Sequence, residues 1–245
     1  MKCYEEFAYI YDSLIYGDIN YCKWAEKIFE ICKGKCVCFD NYLDIACGTG
    51  NLTIEVTKYF KHTWGLDLSS DMLMEAENKF RTRNIKANFV CQDMTMIKLN
   101  KKFDLITSAL DSANYITDSN NLKEFFRGVY NHLNDDGVFI FDINSYFKLS
   151  EILGNNLYTY DNEDVVYIWD NSFENDIVNM YLTFFIKNEE DYKRFDEYHT
   201  ERAYKEEFLE NMISSVGFEV NAKLDNYTDD EVNDKTERIT YVLTK

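Results

Sequence analysis

Apolar segments of strand length alternate with segments of helical period through the first part of the chain, and this alternation restricts the fold more than any other feature. The apolar segments begin near residues 42, 63, 87, 103 and 138, and the stretches between them have apolar residues at helical spacing. Parallel strands need crossover connections of this length, and right-handed crossovers place helices on both faces of one sheet. The sequence therefore predicts an α/β fold with a doubly wound, mostly parallel sheet.

After residue 143 the pattern changes to strands without intervening helices. Segments 165–171, 176–187 and 192–203 have strand character and are separated by turns rich in Asn, Glu and Asp. Strands joined by short turns pair antiparallel. We therefore expect an antiparallel β insert within the main fold.

The remaining segments complete the predicted domain organisation. A helix and two strands follow residue 205 and resume the alternation. We predict an N-terminal helical cap (1–38), one main domain made of 39–149 and 204–245, and the β insert (150–203).

A glycine-rich loop, DIACGTG, runs from Asp44 to Gly50 after the first predicted strand. Glycines let the backbone turn sharply and let a ligand lie against bare peptide groups. The N-terminus of the next helix supplies unpaired N–H groups and partial positive charge. Asp44 would repel a pyrophosphate but could pair with an ammonium group. The loop therefore favours a cofactor with an amino-acid part over a dinucleotide.

Acidic residues also end the second strand and follow the third. Asp67 stands where a carboxylate can accept hydrogen bonds from both hydroxyls of a ribose. Asp93 could accept from the amino group of an adenine. Because the carboxyl ends of adjacent parallel strands meet at one edge, we expect Asp44, Asp67 and Asp93 to surround one crevice.

In this order, the motifs resemble those of the class I S-adenosylmethionine-dependent methyltransferases. The resemblance spans about residues 40–143 and rests on the glycine-rich loop, GLDLS (65–69) with Met72, QDM (92–94), FDLI (103–106) and GVFIFD (137–142). Weaker similarities at both ends of the chain, FAYIYD (7–12) and His199-x-x-Arg202-x-Tyr204, are typical of bacterial members that act on small molecules. The resemblance implies a Rossmann-like sheet of seven strands in the order 3-2-1-4-5-7-6, with strand seven antiparallel.

The resemblance also implies roles for individual residues around S-adenosylmethionine. It places the glycine-rich loop at the methionine part, Asp67 at the ribose, Met72 near the adenine, and the residues after the fourth strand at the sulfonium and the methyl acceptor. The implied cofactor-binding residues are Asp44, Gly48, Gly50, Asp67, Leu68, Met72, Asp93, Met94, Ala109 and Asp111.

The expected reaction is methyl transfer to N, O or S of a small-molecule acceptor by direct in-line displacement. The sulfonium methyl is already electrophilic, so the protein mainly has to position the acceptor and exclude water. An alcohol or a protonated amine would also need a base. His199 is the candidate base, Arg202 could orient an acidic substrate, and Tyr11 could form part of the cleft wall. A structural role is the alternative for all three.

Charge narrows the set of partners. The chain has 26 basic and 44 acidic side chains, for a net charge of −18. A broad contact with nucleic acid or an anionic membrane needs a basic face, so neither partner is expected. No segment has the apolar length of a membrane span and no secretory signal is recognisable, so we expect a cytoplasmic protein with reduced cysteines. The sequence does not indicate an oligomeric state.

Other interpretations of the sequence remain open. Cys32, Cys36 and Cys38 lack the spacing of an iron–sulfur cluster motif and the second pair of ligands of a zinc site, so no metal site is predicted. An NAD-dependent oxidoreductase would have a third glycine at Thr53. A non-catalytic S-adenosylmethionine-binding regulatory protein would keep the same cofactor pocket.

Overall fold

The structure is a computed structural model that describes residues 19–188 and 191–245. Its strands are β1 (Asn41–Ile45), β2 (His62–Asp67), β3 (Asn88–Cys91), β4 (Phe103–Ser108), β5 (Leu133–Asn144), β6 (Leu157–Asp161), β7 (Val165–Glu174), β8 (Ile177–Asn188), β9 (Asp191–Arg202), β10 (Glu219–Asp225) and β11 (Arg238–Thr244). Its α-helices are α1 (Tyr21–Gly34), α2 (Asn51–Val56), α3 (Ser70–Thr82), α4 (Ser119–His132) and α5 (Glu206–Val216). A π-helical turn, Lys148–Leu153, precedes β6.

The main sheet has seven strands in the order β3-β2-β1-β4-β5-β11-β10. Strands β1 to β5 pair in parallel, and β11 pairs antiparallel with both β5 and β10. Numbered within this sheet alone, the order is 3-2-1-4-5-7-6 with the last strand antiparallel. The predicted fold class and strand order are therefore confirmed.

Helices cover both faces of this sheet because alternate residues of each buried strand point to opposite sides. On one face, Phe125 and Phe126 of α4 pack against Phe139 of β5. On the other face, Trp24 of α1 shares a buried cluster with Tyr42 of β1. Strand β4 is buried along its whole length, as expected for a central parallel strand covered on both sides.

The N-cap residue of α3 is Ser69. Ser69 has the extended conformation of an N-cap residue, and its side chain accepts a hydrogen bond from the Met72 N–H at 3.3 Å. Asp71 in the first turn complements the positive end of the helix. This cap holds the start of α3 directly after the end of β2.

Replacing Ser69 with Ala should lower the free energy of unfolding by about 1 kcal/mol, because one N–H of the first turn of α3 loses its side-chain acceptor. Thermal or urea unfolding measures the change. Ser214→Ala is the control, since Ser214 is exposed inside α5 and Ala is the better helix former. Equal stability of the Ser69 variant and the native protein would contradict the cap.

The insert is a second, antiparallel sheet in the order β6-β7-β8-β9. The antiparallel pairing agrees with the prediction, but the sheet has one strand more than the sequence predicted. That strand, β6, is an edge strand whose residues are all exposed. An edge strand without a buried face lacks the alternation by which strands are recognised. In β9, by contrast, Glu197, His199 and Glu201 form a buried face.

Of the predicted N-terminal cap (1–38), the structure describes residues 19–38, which include α1. No helix in the described parts of the chain is long and apolar enough to cross a membrane.

Candidate active site

A cavity of about 590 Å³ opens at the carboxyl ends of the central parallel strands. Asp44 and Gly48 line it at the end of β1, Asp67 and Leu68 at the end of β2, and Asp93 after β3. The three carboxylates that the sequence placed at separate strand ends therefore share one cavity. Its volume is in the range of small-molecule and cofactor sites.

Asp67 joins the glycine-rich loop to the turn after β2. One carboxylate oxygen accepts the N–H of Gly48 at 2.8 Å, and the other accepts the N–H of Ser69 at 2.8 Å. Burial raises the pKa of Asp67, and the two N–H groups act in the opposite direction. Each oxygen keeps a second acceptor position for a ligand hydroxyl.

Asp44 is almost fully buried and is held by two threonine hydroxyls. Thr53 donates to one oxygen at 2.6 Å and Thr107 to the other at 2.7 Å. Burial raises the pKa of Asp44 to about 6, and the neighbouring Asp67 carboxylate contributes in the same direction. Thr53 therefore binds Asp44 from the position where a dinucleotide-binding loop would have a glycine.

The two glycines of the loop have different surroundings. Gly48 has φ = 53° and lines the cavity, and a Cβ added there would meet no atom within 4 Å. Gly50 has φ = 77°, and a Cβ there would lie 3.2 Å from the Phe80 ring and 3.3 Å from the Ala76 Cβ. The structure therefore uses Gly50 to let α3 pack closely against the loop.

Apolar side chains lie between the carboxylates. Leu68 is 70% exposed although it is apolar, and it lines the cavity with the buried Met72. Asp93 and Met94 form the neighbouring wall, where one oxygen of Asp93 accepts from the N–H and the hydroxyl of Thr95, both at 2.8 Å. A flat apolar group with a polar edge fits this part of the cavity.

The segment after β4 forms the opposite wall. Ala109, Leu110 and Tyr115 line the cavity, as does Ser112. Asp111, in the same segment, is not among the described residues that line it; its carboxylate pairs with Arg238 at 2.6 Å.

His199 reaches this wall through a tyrosine. Its Nδ1 lies 3.4 Å from the Tyr115 hydroxyl, and the two rings meet edge to face. Burial lowers the pKa of His199 to about 4, so the ring is neutral at pH 7 and a weak proton acceptor.

Arg202 does not share the buried face of His199, because an odd separation along a strand puts side chains on opposite faces. Its guanidinium donates to the Thr117 carbonyl at 2.9 Å and to the Ser119 hydroxyl at 3.0 Å. Arg202 therefore binds groups of the segment that leads into α4, and it is not among the described residues that line the cavity. The third candidate, Tyr11, lies outside the described residues.

Glu201 is a buried acid that the sequence motifs did not predict. It accepts a hydrogen bond from the Asn144 side-chain amide at 3.0 Å, which ties β9 to the end of β5. Burial raises the pKa of Glu201 well above its ordinary value of 4.5, and the charge of Asp111 adds to the effect. The alternation of β9 could have revealed it, since Glu201 follows His199 at a spacing of two.

No group of three or more His, Cys, Asp or Glu side chains in the described residues is arranged to hold a metal ion. Cys32 is buried in the core, where burial raises the pKa of its thiol to about 12. Cys36 and Cys38 are exposed thiols.

Known proteins are similar to this chain in sequence and in fold. The family model described as a methyltransferase domain matches residues 43–137. The Bacillus subtilis protein YqeM, named as a candidate methyltransferase, is 31% identical over 245 residues, covering 99% of this chain and 97% of its own length. A crystal structure of an S-adenosylmethionine-dependent methyltransferase from Clostridium acetobutylicum is 53% identical, with a TM-score of 0.94 and 99% of each chain covered.

Another relative matches over about half of its length and has a name that specifies its methyl acceptor. The dTDP-3-amino-3,4,6-trideoxy-alpha-D-glucopyranose N,N-dimethyltransferase of Streptomyces venezuelae is 29% identical over 136 residues, which are 55% of this chain and 56% of that protein.

Proposed function

This chain belongs to the class I S-adenosylmethionine-dependent methyltransferases, and we propose that it transfers the methyl group to N, O or S of a small-molecule acceptor by direct in-line displacement. The single observation that carries the proposal is the cavity in which three carboxylates meet an apolar wall at the carboxyl edge of the sheet.

The residues of the cavity suit the parts of S-adenosylmethionine. We assign Asp44 to the ammonium group, because it is a buried carboxylate with further acceptor positions. Asp67 is assigned to the ribose hydroxyls for the same reason. Leu68 and Met72 would cover the adenine, with Asp93 and Met94 at its edge.

The bound cofactor supplies an electrophilic methyl group, so this chain has to orient the acceptor and exclude water. Ala109, Leu110 and Tyr115 are proposed to form the wall against which the acceptor lies. His199, with a pKa of about 4, is better suited to orient the Tyr115 hydroxyl than to remove a proton. An acceptor that is already nucleophilic near neutral pH, such as a neutral amine or a thiolate, agrees best with this arrangement.

The β insert (150–203) is proposed to cover the acceptor side of the cavity. Two contacts support this placement: the Tyr115–His199 contact at the wall and the Asn144–Glu201 hydrogen bond behind it. The Streptomyces relative, named for a methylated amine on a nucleotide sugar, makes amino compounds the first acceptors to test.

Calorimetry with S-adenosylmethionine, S-adenosylhomocysteine and NAD tests the cofactor assignment. Binding of the first two without NAD is the expected result, and tight NAD binding alone would contradict it. Incubation with amines, thiols and phenols, with S-adenosylhomocysteine as the measured product, tests turnover. Formation of that product with one acceptor class supports the proposal. Its absence across all classes, with the cofactor bound, would favour a regulatory binding protein.

A further inference from the structure

The turn after β4 contains two successive residues in the left-handed backbone conformation. Leu110 has φ = 58° and Asp111 has φ = 53°. This region is unfavourable for residues with a Cβ and uncommon for a bulky residue such as Leu. Such a conformation persists only where surrounding contacts impose it.

One buried carboxylate imposes it here. The two oxygens of Asp142, at the end of β5, accept the backbone N–H groups of Leu110 at 2.9 Å and of Asp111 at 2.8 Å. Asp142 is fully buried. Two successive N–H groups that point at one carboxylate form a concave anion site, which fixes the φ angles of both residues.

Asp142 is itself held from two other sides. Arg238 of β11 donates to it and also pairs with Asp111. The Tyr227 hydroxyl donates to its second oxygen at 2.8 Å, and the Tyr227 ring stacks on Trp24 of α1 with ring centroids 4.2 Å apart. The turn is therefore connected through Asp142 to β5, β11 and α1.

The strained turn is also part of the cavity wall. Leu110 lines the cavity together with Ala109 before it and Ser112 after it. A change of φ at Leu110 would move its side chain and the carbonyl of Ala109 relative to whatever occupies the cavity.

We propose that Asp142 is a positioning residue for methyl transfer, which holds Leu110 and Asp111 in the left-handed conformation and so fixes the wall beside the methyl group and its acceptor. The inference rests on the proposed function. It differs from a purely structural role, in which Asp142 would only neutralise the buried Arg238.

The test is a rescue experiment on S-adenosylmethionine affinity, measured by calorimetry. Asp142→Asn keeps the side-chain shape but offers one oxygen where the carboxylate offers two, and we expect at least tenfold weaker binding. Leu110→Gly in the same molecule should restore the affinity at least threefold, because glycine adopts positive φ without steric cost. A double variant whose loss equals the product of the two single losses would overturn the proposal, as would unchanged affinity of Asp142→Asn.

A second pair of variants leaves the buried ion pairs intact and serves if Asp142→Asn does not fold. Leu110→Val puts a β-branched residue in the left-handed conformation, whereas Leu110→Asn puts a residue there that tolerates it. We expect the Val variant to bind S-adenosylmethionine at least fivefold more weakly than the Asn variant, and equal affinities would contradict the proposal. Failure of the native protein to bind would instead contradict the proposed function.

Discussion

Asp67→Ala should weaken the binding of S-adenosylmethionine by about 100-fold. Removing the carboxylate removes charge-assisted hydrogen bonds to the proposed ribose hydroxyls, each worth about 1.5–3 kcal/mol. It also releases the N–H groups of Gly48 and Ser69, which Asp67 holds in place around the cavity. Each tenfold loss of affinity corresponds to about 1.4 kcal/mol, so titration calorimetry resolves the effect easily.

Asp40→Ala is the matched control for charge. Asp40 is an exposed carboxylate that pairs with Lys61 on the surface, so its removal should leave the affinity unchanged. Thermal unfolding of both variants shows whether the fold is kept. Native affinity in the Asp67 variant would contradict the ribose assignment while leaving the family assignment intact.

Glu201→Gln should stabilise the protein at pH 8 by about 3 kcal/mol and change its stability little at pH 4.5. In the unfolded chain Glu201 ionises near 4.5, but in the folded protein burial holds its pKa well above that value. Folding then keeps a proton that the unfolded chain releases, so the native protein loses stability as the pH rises from 4.5 until the folded-state pKa is passed. Gln has no proton to lose and can still accept from Asn144. Burial raises the pKa of Glu201 from 4.5 to about 8, so folding changes its proton affinity by more than two factors of ten. Each factor of ten is worth about 1.4 kcal/mol, so about 3 kcal/mol is the least stabilisation that we expect.

Urea unfolding of both proteins between pH 4.5 and pH 8.5 measures this difference. His199 acts in the opposite direction, because its lowered pKa destabilises the native state as the pH falls from 6.5 towards 4. That contribution is common to both proteins and cancels in the comparison. Glu174→Gln, an exposed glutamate in the same insert, serves as the control. Parallel stability curves for Glu201→Gln and the native protein would contradict the interpretation.

The fold was largely predictable because its signals are local. Five apolar segments separated by helical segments specify a parallel sheet, and short polar turns specify an antiparallel one. Strand β6 was missed because its pairing with β7 depends on a partner and not on its own burial.

The convergence of the strand-end acids was also predictable, since strand-end residues of a parallel sheet meet at one edge. Asp44, Asp67 and Asp93 line one cavity for this reason. The hydroxyl partners of Asp44 were not predictable, because Thr107 comes from another strand.

The proposed acceptor side depends on contacts between distant segments, and there the sequence was less informative. His199 and Arg202 were grouped as one motif although they are three residues apart in a strand. That spacing places the two side chains on opposite faces. Glu201 and Asp142 are buried acids, and their partners, Asn144 and Arg238, lie far away in the chain.

Asp44 has a consequence for how the cavity handles protons. With a pKa of about 6, its carboxylate is partly protonated in mildly acidic solution. An ammonium group that docks against it, as proposed, has to displace that proton, so ligand capture and proton release become coupled equilibria. The heat of binding near pH 6 would then vary with the ionisation enthalpy of the buffer, and the cavity would be a poorer receptor in acid than at neutrality.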